Sequence, residues 1–288
     1  MDLFALDANG DVPPVERIIG KKTLLGFSQG IAVDAKHRVY ATTVTSYTDE
    51  TVTVYAAGAY GNTEPIQTIA GPNTGLDNPQ KIAVDARRNV YVANTANDGS
   101  PSGNNPSVTV YAAGANGNAT PIRTIAGPNT GLTVPFGIAL DDRRNIYVTN
   151  YSPYSVLVFA AGANGNATPV RTISGSNTGL SGPNGIAVDG SKNIYVANYD
   201  ALDVTVYAAG SNGNVSPVRT IGGRKTKLIE PSGIAVDANG NMYVSDLAFW
   251  SWITVYAAGA NGNVAPIQMI KGRDTELQNN YAYDIAVR

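Results

Sequence analysis

Gly185-Ile186-Ala187-Val188-Asp189, Asn193-Ile194-Tyr195-Val196-Ala197-Asn198, Val204-Thr205-Val206-Tyr207-Ala208-Ala209-Gly210 and Pro217-Val218-Arg219-Thr220-Ile221 follow one another in close succession. Each is short, rich in β-branched residues and bounded by Gly, Asn, Asp or Pro, so each reads as a strand. The same four-part unit recurs along the whole chain. The Ile of its first segment falls at Ile31, Ile82, Ile138, Ile186, Ile234 and Ile285, at spacings of 51, 56, 48, 48 and 51 residues. A period of that length with four short apolar segments per unit is the pattern of a β-propeller blade. One such sheet cannot cover both of its faces, so only a closed ring buries a core. The expectation is an all-β fold: a six-bladed β-propeller over residues 1–288 as one domain, built mostly of four-stranded antiparallel blades.

Within a unit, the Ile-Ala-Val segment is nearly uncharged and reads as the inner strand a, buried on both faces. Strand b (Asn-Ile-Tyr-Val) follows after a short turn. The interval from the strand-a Ile to the strand-b Tyr is nine residues in all five units that possess both. Strand c ends in sequences such as Ala163-Asn164-Gly165-Asn166, where Asn-Gly supplies the positive φ of a hairpin turn. Strand d opens on Pro, admissible at the start of an edge strand because no ladder donor is lost. After it, each unit carries Gly-x-x-Thr-x-Leu, read as a turn hydroxyl and a buried anchor between blades.

The last blade combines both termini. Residues 3–6 and 15–19 match strands c and d, and 285–287 match strand a. Strand b is missing, because the sequence stops at Arg288 where the a–b turn should begin. The blade is three-stranded with a groove, or the strand lies beyond this sequence, or another chain supplies it; an unpaired edge there invites β-augmentation.

Loop lengths locate the variation. From the strand-b Tyr to the strand-c aromatic the count is 15, 20, 12, 12 and 13; from that aromatic to the next strand-a Ile it is 27 five times and 29 once. The b–c loops and one d–a loop therefore vary, and in an up-and-down blade both emerge on one face. Variable loops on a rigid scaffold are where binding resides. That face is expected to carry Tyr47, Tyr151, Tyr154, Tyr199, Asp200, Asp246, Phe249 and Trp250 from b–c loops or strand-b ends. Phe136 and Tyr283 stand just before strand a. Lys81 and Asp284 replace a glycine found in the other four units, and are expected to flank the channel mouth as an ion pair. Aromatic faces beside amides and carboxylates suit a glycan or peptide ligand. Basic d–a loops (Arg224, Lys225, Lys227; Lys271, Arg273; Lys21, Lys22) form a solvated arc, or a contact for an anionic glycan or acidic partner.

Composition closes other routes. A single histidine, His37 in an a–b turn, and no cysteine leave no Ser–His–acid triad, thiolate nucleophile or histidine-rich metal site. A carboxylate-and-amide site for calcium or magnesium is compatible with Asn150, Asn198 and Asp246, which occupy equivalent strand-b ends. The net charge of −2 argues against general nucleic-acid affinity. No stretch is long and apolar enough to span a membrane. Met1-Asp2-Leu3-Phe4 does not open a signal peptide, although a secreted or periplasmic location, and a monomer, are expected.

The units at 183–198 and 231–246, Pro-x-Gly-Ile-Ala-Val-Asp followed by a strand-b segment, resemble NHL repeats. They are also similar to units of the gluconolactonase/regucalcin-like and virginiamycin B lyase-like propellers, and the resemblance covers almost the whole chain. It implies a propeller whose relatives include metal-dependent lactonases, lyases and non-catalytic binding modules. The lactonase group implies an acidic and amide metal cluster at the channel mouth, which Asn150, Asn198 and Asp246 match in part. The histidines of the lyases have no counterpart here. The sequence therefore points to non-catalytic binding of a glycan, peptide or protein partner on the b–c/d–a face. A divalent-metal lactonase- or lyase-type enzyme is the alternative.

Overall fold

The computed structural model describes residues 1–44, 50–96, 106–277 and 281–287. An N-terminal ribbon pairs β1 (Asp2–Leu3) with β2 (Glu16–Arg17). Five four-stranded antiparallel sheets follow, each running through its strands in chain order. Blade one is β3 (Phe27–Val33), β4 (Val39–Val44), β5 (Glu50–Tyr55) and β6 (Gln67–Ile69). Blade two is β7 (Pro79–Val84), β8 (Val90–Asn94), β9 (Ser107–Tyr111) and β10 (Arg123–Ala126). Blade three is β11 (Pro135–Leu140), β12 (Ile146–Asn150), β13 (Ser155–Phe159) and β14 (Arg171–Ile173). Blade four is β15 (Pro183–Val188), β16 (Ile194–Asn198), β17 (Asp203–Tyr207) and β18 (Arg219–Gly222). Blade five is β19 (Pro231–Val236), β20 (Met242–Asp246), β21 (Trp252–Tyr256) and β22 (Gln268–Ile270). The protein is thus an all-β propeller. Among the described residues no helix is long and apolar enough to cross a membrane.

The core lies between blades. Tyr91, Val108, Val110 and Ile125 of blade two pack on Leu132, Ile138, Val148 and Leu157 of blade three. The same pairing recurs around the molecule. Each such side chain contributes about 1.5–3 kcal/mol when fully buried, which is why isolated sheets of this sequence have no stable fold. At the hub, the inner strands approach backbone to backbone. A Cβ on Gly137 would meet the Asn184 carbonyl at 2.3 Å, and one on Gly185 the Ser232 carbonyl at 2.3 Å. The spacing glycine, rather than the neighbouring Ala, is what lets the sheets converge.

The rim is stitched by the c–d turns. Their Asn-Gly-Asn runs do more than reverse the chain. Asn164 Oδ1 accepts from Thr124 N and Asn166 Oδ1 from Asn129 N, both in the preceding blade, at 2.9 and 2.7 Å. Between the two asparagines, Gly165 forms a parallel bridge with Ile125. The Gly-x-x-Thr-x-Leu segments complete the joint: Thr130 Oγ1 donates to the Gly127 carbonyl and accepts from Leu132 N.

The N-terminal ribbon takes part in this stitching. Ile18 bridges to Gly61 of blade one, and Gly10 bridges to Ile270 of blade five. Asn9 and Asp11 accept from Met269 N and Asp274 N as the turn asparagines do elsewhere. The ribbon register, Asp2↔Arg17 and Leu3↔Glu16, has the alignment of Thr205↔Thr220 and Val206↔Arg219 in blade four. Residues 281–287 carry no strand ladder, yet Asp284 lies against Gly233 of blade five and accepts from Ile31 N of blade one at 3.0 Å. Six blades were expected, the last built from both termini and short of one strand; among the described residues five four-stranded blades and the two-stranded ribbon are formed. Among the described residues, the region joining the termini holds a two-stranded ribbon and an inner segment, 281–287, with no ladder between them.

Candidate binding rim

Backbone bonds place the b–c and d–a loops together. Tyr151 N donates to Val134 O, Tyr199 N to Gly182 O and Leu247 N to Glu230 O, each joining the two loop types of one blade. The a–b and c–d turns meet on the other face: Ala161 N donates to Asn145 Oδ1 and Ala258 N to Asn241 Oδ1. Of the expected rim, Tyr47 lies outside the described residues.

Blades three to five carry the densest group. The Phe136 and Tyr151 rings lie 5.5 Å apart and tilted, and the Tyr154 ring meets Tyr151 edge-on at 6.2 Å. Both tyrosine hydroxyls donate to Asp200 of the next blade, Tyr151 at 3.1 and 3.2 Å and Tyr154 at 3.1 Å. Burial, and then the hydrogen bond to the Asp200 carboxylate, push the Tyr151 phenol up to about 12. Asp200 reaches this position through Gly182, where any Cβ would stand 2.6 Å from its carboxyl carbon. Tyr199 stands near Glu230 of the following blade; burial, then the Glu230 charge, raise its phenol. The chain Phe136–Tyr151–Tyr154–Asp200 therefore crosses one blade boundary and Tyr199–Glu230 the next.

Phe249 and Trp250 sit farther along the same face as an edge-on pair with centroids 5.6 Å apart. They are 78% and 55% exposed, against 41% for Tyr154, so these rings are open to a ligand. Trp252 is half-buried and donates from Nε1 to the Lys227 carbonyl at 3.2 Å, a packing role.

Lys81 and Asp284 do pair, at 3.4 Å, but with side chains only 6% and 13% exposed. Lys81 Nζ also donates to the Tyr283 carbonyl, which in addition accepts from Ser232 Oγ at 2.8 Å. Burial lowers the lysine and raises the aspartic acid, each opposed by the other's charge. Their arrangement is a buried tie among the inner strands rather than an open ligand contact.

The three residues considered for a metal are turned to other work. Asn150 Oδ1 accepts from Thr133 N and Val134 N, both at 2.9 Å, while its Nδ2 donates to Thr133 Oγ1 at 2.7 Å. Asn198 Nδ2 donates to Asp203 and Thr205. Asp246 accepts from Ile229 N, Glu230 N and Ala248 N; burial nonetheless raises its carboxyl. Each is wholly buried and caps the loop of its own blade. Among the described residues no group of three His, Cys, Asp or Glu could hold a metal ion.

Sequence reasoning missed Glu230, whose part emerges only when adjacent blades are packed, and Gly182, whose part emerges when the two loops of blade four meet. It also gave no volume to the gap between the termini. A cavity of about 750 Å³ opens there, lined by residues 1–6, by the 281–287 segment and by flanking side chains such as Leu25, Val39, Tyr243 and Ile253. Tyr283 and Asp284 are the expected site residues that reach it.

No protein-family model matches the chain, and no curated protein matches it. Solved structures do share its fold. A nidogen/laminin complex matches with a TM-score of 0.60 at 19% identity, covering 86% of this chain and 81% of that one. A putative 6-phosphogluconolactonase from Bacteroides uniformis matches with a TM-score of 0.58 at 17% identity, over 86% and 73% of the two chains. Virginiamycin B lyase from Staphylococcus aureus matches with a TM-score of 0.51 at 12% identity, over 85% and 75%. These likenesses establish the β-propeller fold; they span binding proteins and enzymes, so activity must be argued from the site.

Proposed function

We propose that the protein is a non-catalytic binding module, six-bladed in design and one domain throughout, which holds a glycan on the rim formed by the b–c and d–a loops of blades three to five. The observation that supports this most directly is the convergence of Tyr151 and Tyr154 on Asp200 across a blade boundary, beside Phe136. Two phenols fixed by one carboxylate form a rigid aromatic corner, and ordering it in advance reduces the entropy lost on binding. Exposed rings of Tyr154, Phe249 and Trp250 offer apolar plates for sugar faces, and Asp200, Tyr199 and Glu230 offer acceptors and donors for hydroxyls. That a propeller of this fold occurs in a nidogen/laminin complex is consistent with a binding role. The reading of a six-part ring rests on the ribbon's shared register and on its bridges to both neighbours.

The test is a glycan array followed by tryptophan-fluorescence titration. Saturable binding that weakens at least tenfold in Tyr154→Ala, about 1.4 kcal/mol, and changes in Trp250→Ala is expected. Silence toward every glycan, or binding indifferent to both substitutions, overturns the reading; a response to peptides alone transfers the rim to a protein partner.

A further inference from the structure

We infer that the loops at the boundary of blades four and five form a docking surface for an anionic membrane. The repeat itself isolates this surface. In the d–a loops entering blades two, three and four, the repeated glycine is followed by Pro72-Asn73-Thr74-Gly75, Pro128-Asn129-Thr130-Gly131 and Ser176-Asn177-Thr178-Gly179. The loop entering blade five reads Arg224-Lys225-Thr226-Lys227. Its backbone is held in the same way. Lys225 N donates to Asn263 Oδ1 at 2.8 Å, as Asn177 N does to Asn214 Oδ1 at 2.7 Å. Thr226 Oγ1 donates to the Gly223 carbonyl, as Thr178 Oγ1 does to that of Gly175. Lys227 keeps the left-handed φ of its glycine counterparts, 66° against 66°, 71° and 71°, which an L side chain adopts at a cost. A strained cation where the fold accepts glycine points to a use for the charge. Arg224, Lys225 and Lys227 are all exposed, and among the described residues none of them forms an ion pair.

The apolar part of the surface breaks the repeat as well. Asp77, Thr133 and Ser181 each donate a backbone N–H to the asparagine that ends strand b. Their counterpart in blade five is Ile229, which makes the same bond to Asp246 and leaves its aliphatic side chain 46% exposed. Leu247 N donates to the Glu230 carbonyl and Trp252 Nε1 to the Lys227 carbonyl. The b–c loop that carries the exposed Phe249 and Trp250 therefore lies against the cationic loop. Of the nearby acids, Asp246 is buried and Glu230 half-buried. An exposed isoleucine offers a sugar neither a flat ring nor a hydrogen bond, whereas an acyl boundary accepts it together with Phe249. Tryptophan suits the headgroup level, and long cationic side chains reach anionic headgroups from there. Apolar burial added to electrostatic attraction is what holds a protein on such a surface. The loop entering blade one repeats the pattern on a smaller scale, with exposed Lys21, Lys22 and Leu24, the last at φ 58°. The loop between is mixed, Arg273 standing with Asp274 and Glu276.

The test is flotation of the full chain with vesicles of phosphatidylcholine alone, or with about one-third phosphatidylglycerol added. Flotation with the anionic vesicles only is expected, with a blue shift of tryptophan emission and release as salt screens the headgroups. Arg224→Ser, Lys225→Asn and Lys227→Gly together copy the loop that the protein already folds at 176–179. That variant keeps the wild-type thermal unfolding, while its vesicle binding falls at least about tenfold. Ile229→Ser with Phe249→Ser lowers binding by at least about tenfold too. Tyr154→Ala, in the glycan corner one blade boundary away, leaves vesicle binding unchanged, so this inference goes beyond the glycan reading and fails separately from it. It is overturned if the chain does not float, if it floats equally with phosphatidylcholine alone, or if the copied loop floats as well as the wild type. Capture on a sulfated glycan without flotation would assign the surface to an anionic sugar and equally overturn it.

Discussion

Lys81 and Asp284 stand where the repeat otherwise keeps glycine, and breaking a pattern that strict was their signal in the sequence. Their burial was not legible, because it depends on two distant inner strands packing over Gly30, where a Cβ would fall 2.7 Å from the Lys81 Cα. A charge left alone in that setting is costly. Lys81→Met is expected to destabilise the protein by about 3–5 kcal/mol, whereas Lys81→Met with Asp284→Leu recovers most of the loss, measured by denaturant unfolding. Equal instability of the single and double variants would show that the pair matters only through its shape. Tyr151, Tyr154 and Asp200 were each nominated from sequence as neighbours of one mouth, but the convergence of two phenols on one carboxylate needed the packing of blade three on blade four. Asp200→Asn should bring the Tyr151 titration down from about 12, followed by NMR of labelled tyrosine; an unmoved titration would leave burial as its only cause.

At the level of the element, strand order and the nine-residue a-to-b interval translated directly into ladders such as Ile186↔Val196 and Val188↔Ile194. Strands alternate with a fixed period, and each turn carried its own chemistry. Asp34, Asp85, Asp141, Asp189 and Asp237 open the a–b turns and accept from side chains four residues on. For Asp34 burial pulls the carboxyl upward, but hydrogen bonds from Arg38, two backbone N–H groups and Tyr40 outweigh it and hold it at about 2, below the ordinary 3.8. A depressed acid stabilises the fold above its unfolded pKa and loses that contribution as pH falls through the folded one. Asp34→Asn should therefore flatten the stability profile between about pH 4 and pH 2; an unchanged acid limb would refute this. The turn asparagines were read as hairpin formers, and their grip on the preceding blade was invisible because partner and acceptor lie some forty residues apart. Asn166→Ala is expected to cost about 0.5–1.5 kcal/mol in thermal or denaturant unfolding, while a neutral result would reduce the hook to a turn.

For the molecule as a whole, the repeat period announced a ring, and the contacts of both termini supply its last joint. Gly10 N donates to Met269 O at 2.8 Å, and Ile19 N to Gly61 O at 3.0 Å. What the repeat could not convey is that, among the described residues, the N-terminal ribbon and 285–287 share no ladder. Sequence similarity between units reports pairing potential, and a ladder forms only when both partners are present. The termini are tied to blades one and five at the hub by Asp284 and at the rim by the hooks, with a cavity between. Native-state hydrogen exchange addresses this arrangement amide by amide. Closure around this cavity predicts slow exchange at Gly10 and Ile19, and fast exchange at Phe4 and Ala286 beside slow Tyr207 and Ala187, their counterparts in blade four. Fast exchange at Gly10 and Ile19, or protection of Phe4 and Ala286 equal to that of Tyr207 and Ala187, would contradict it.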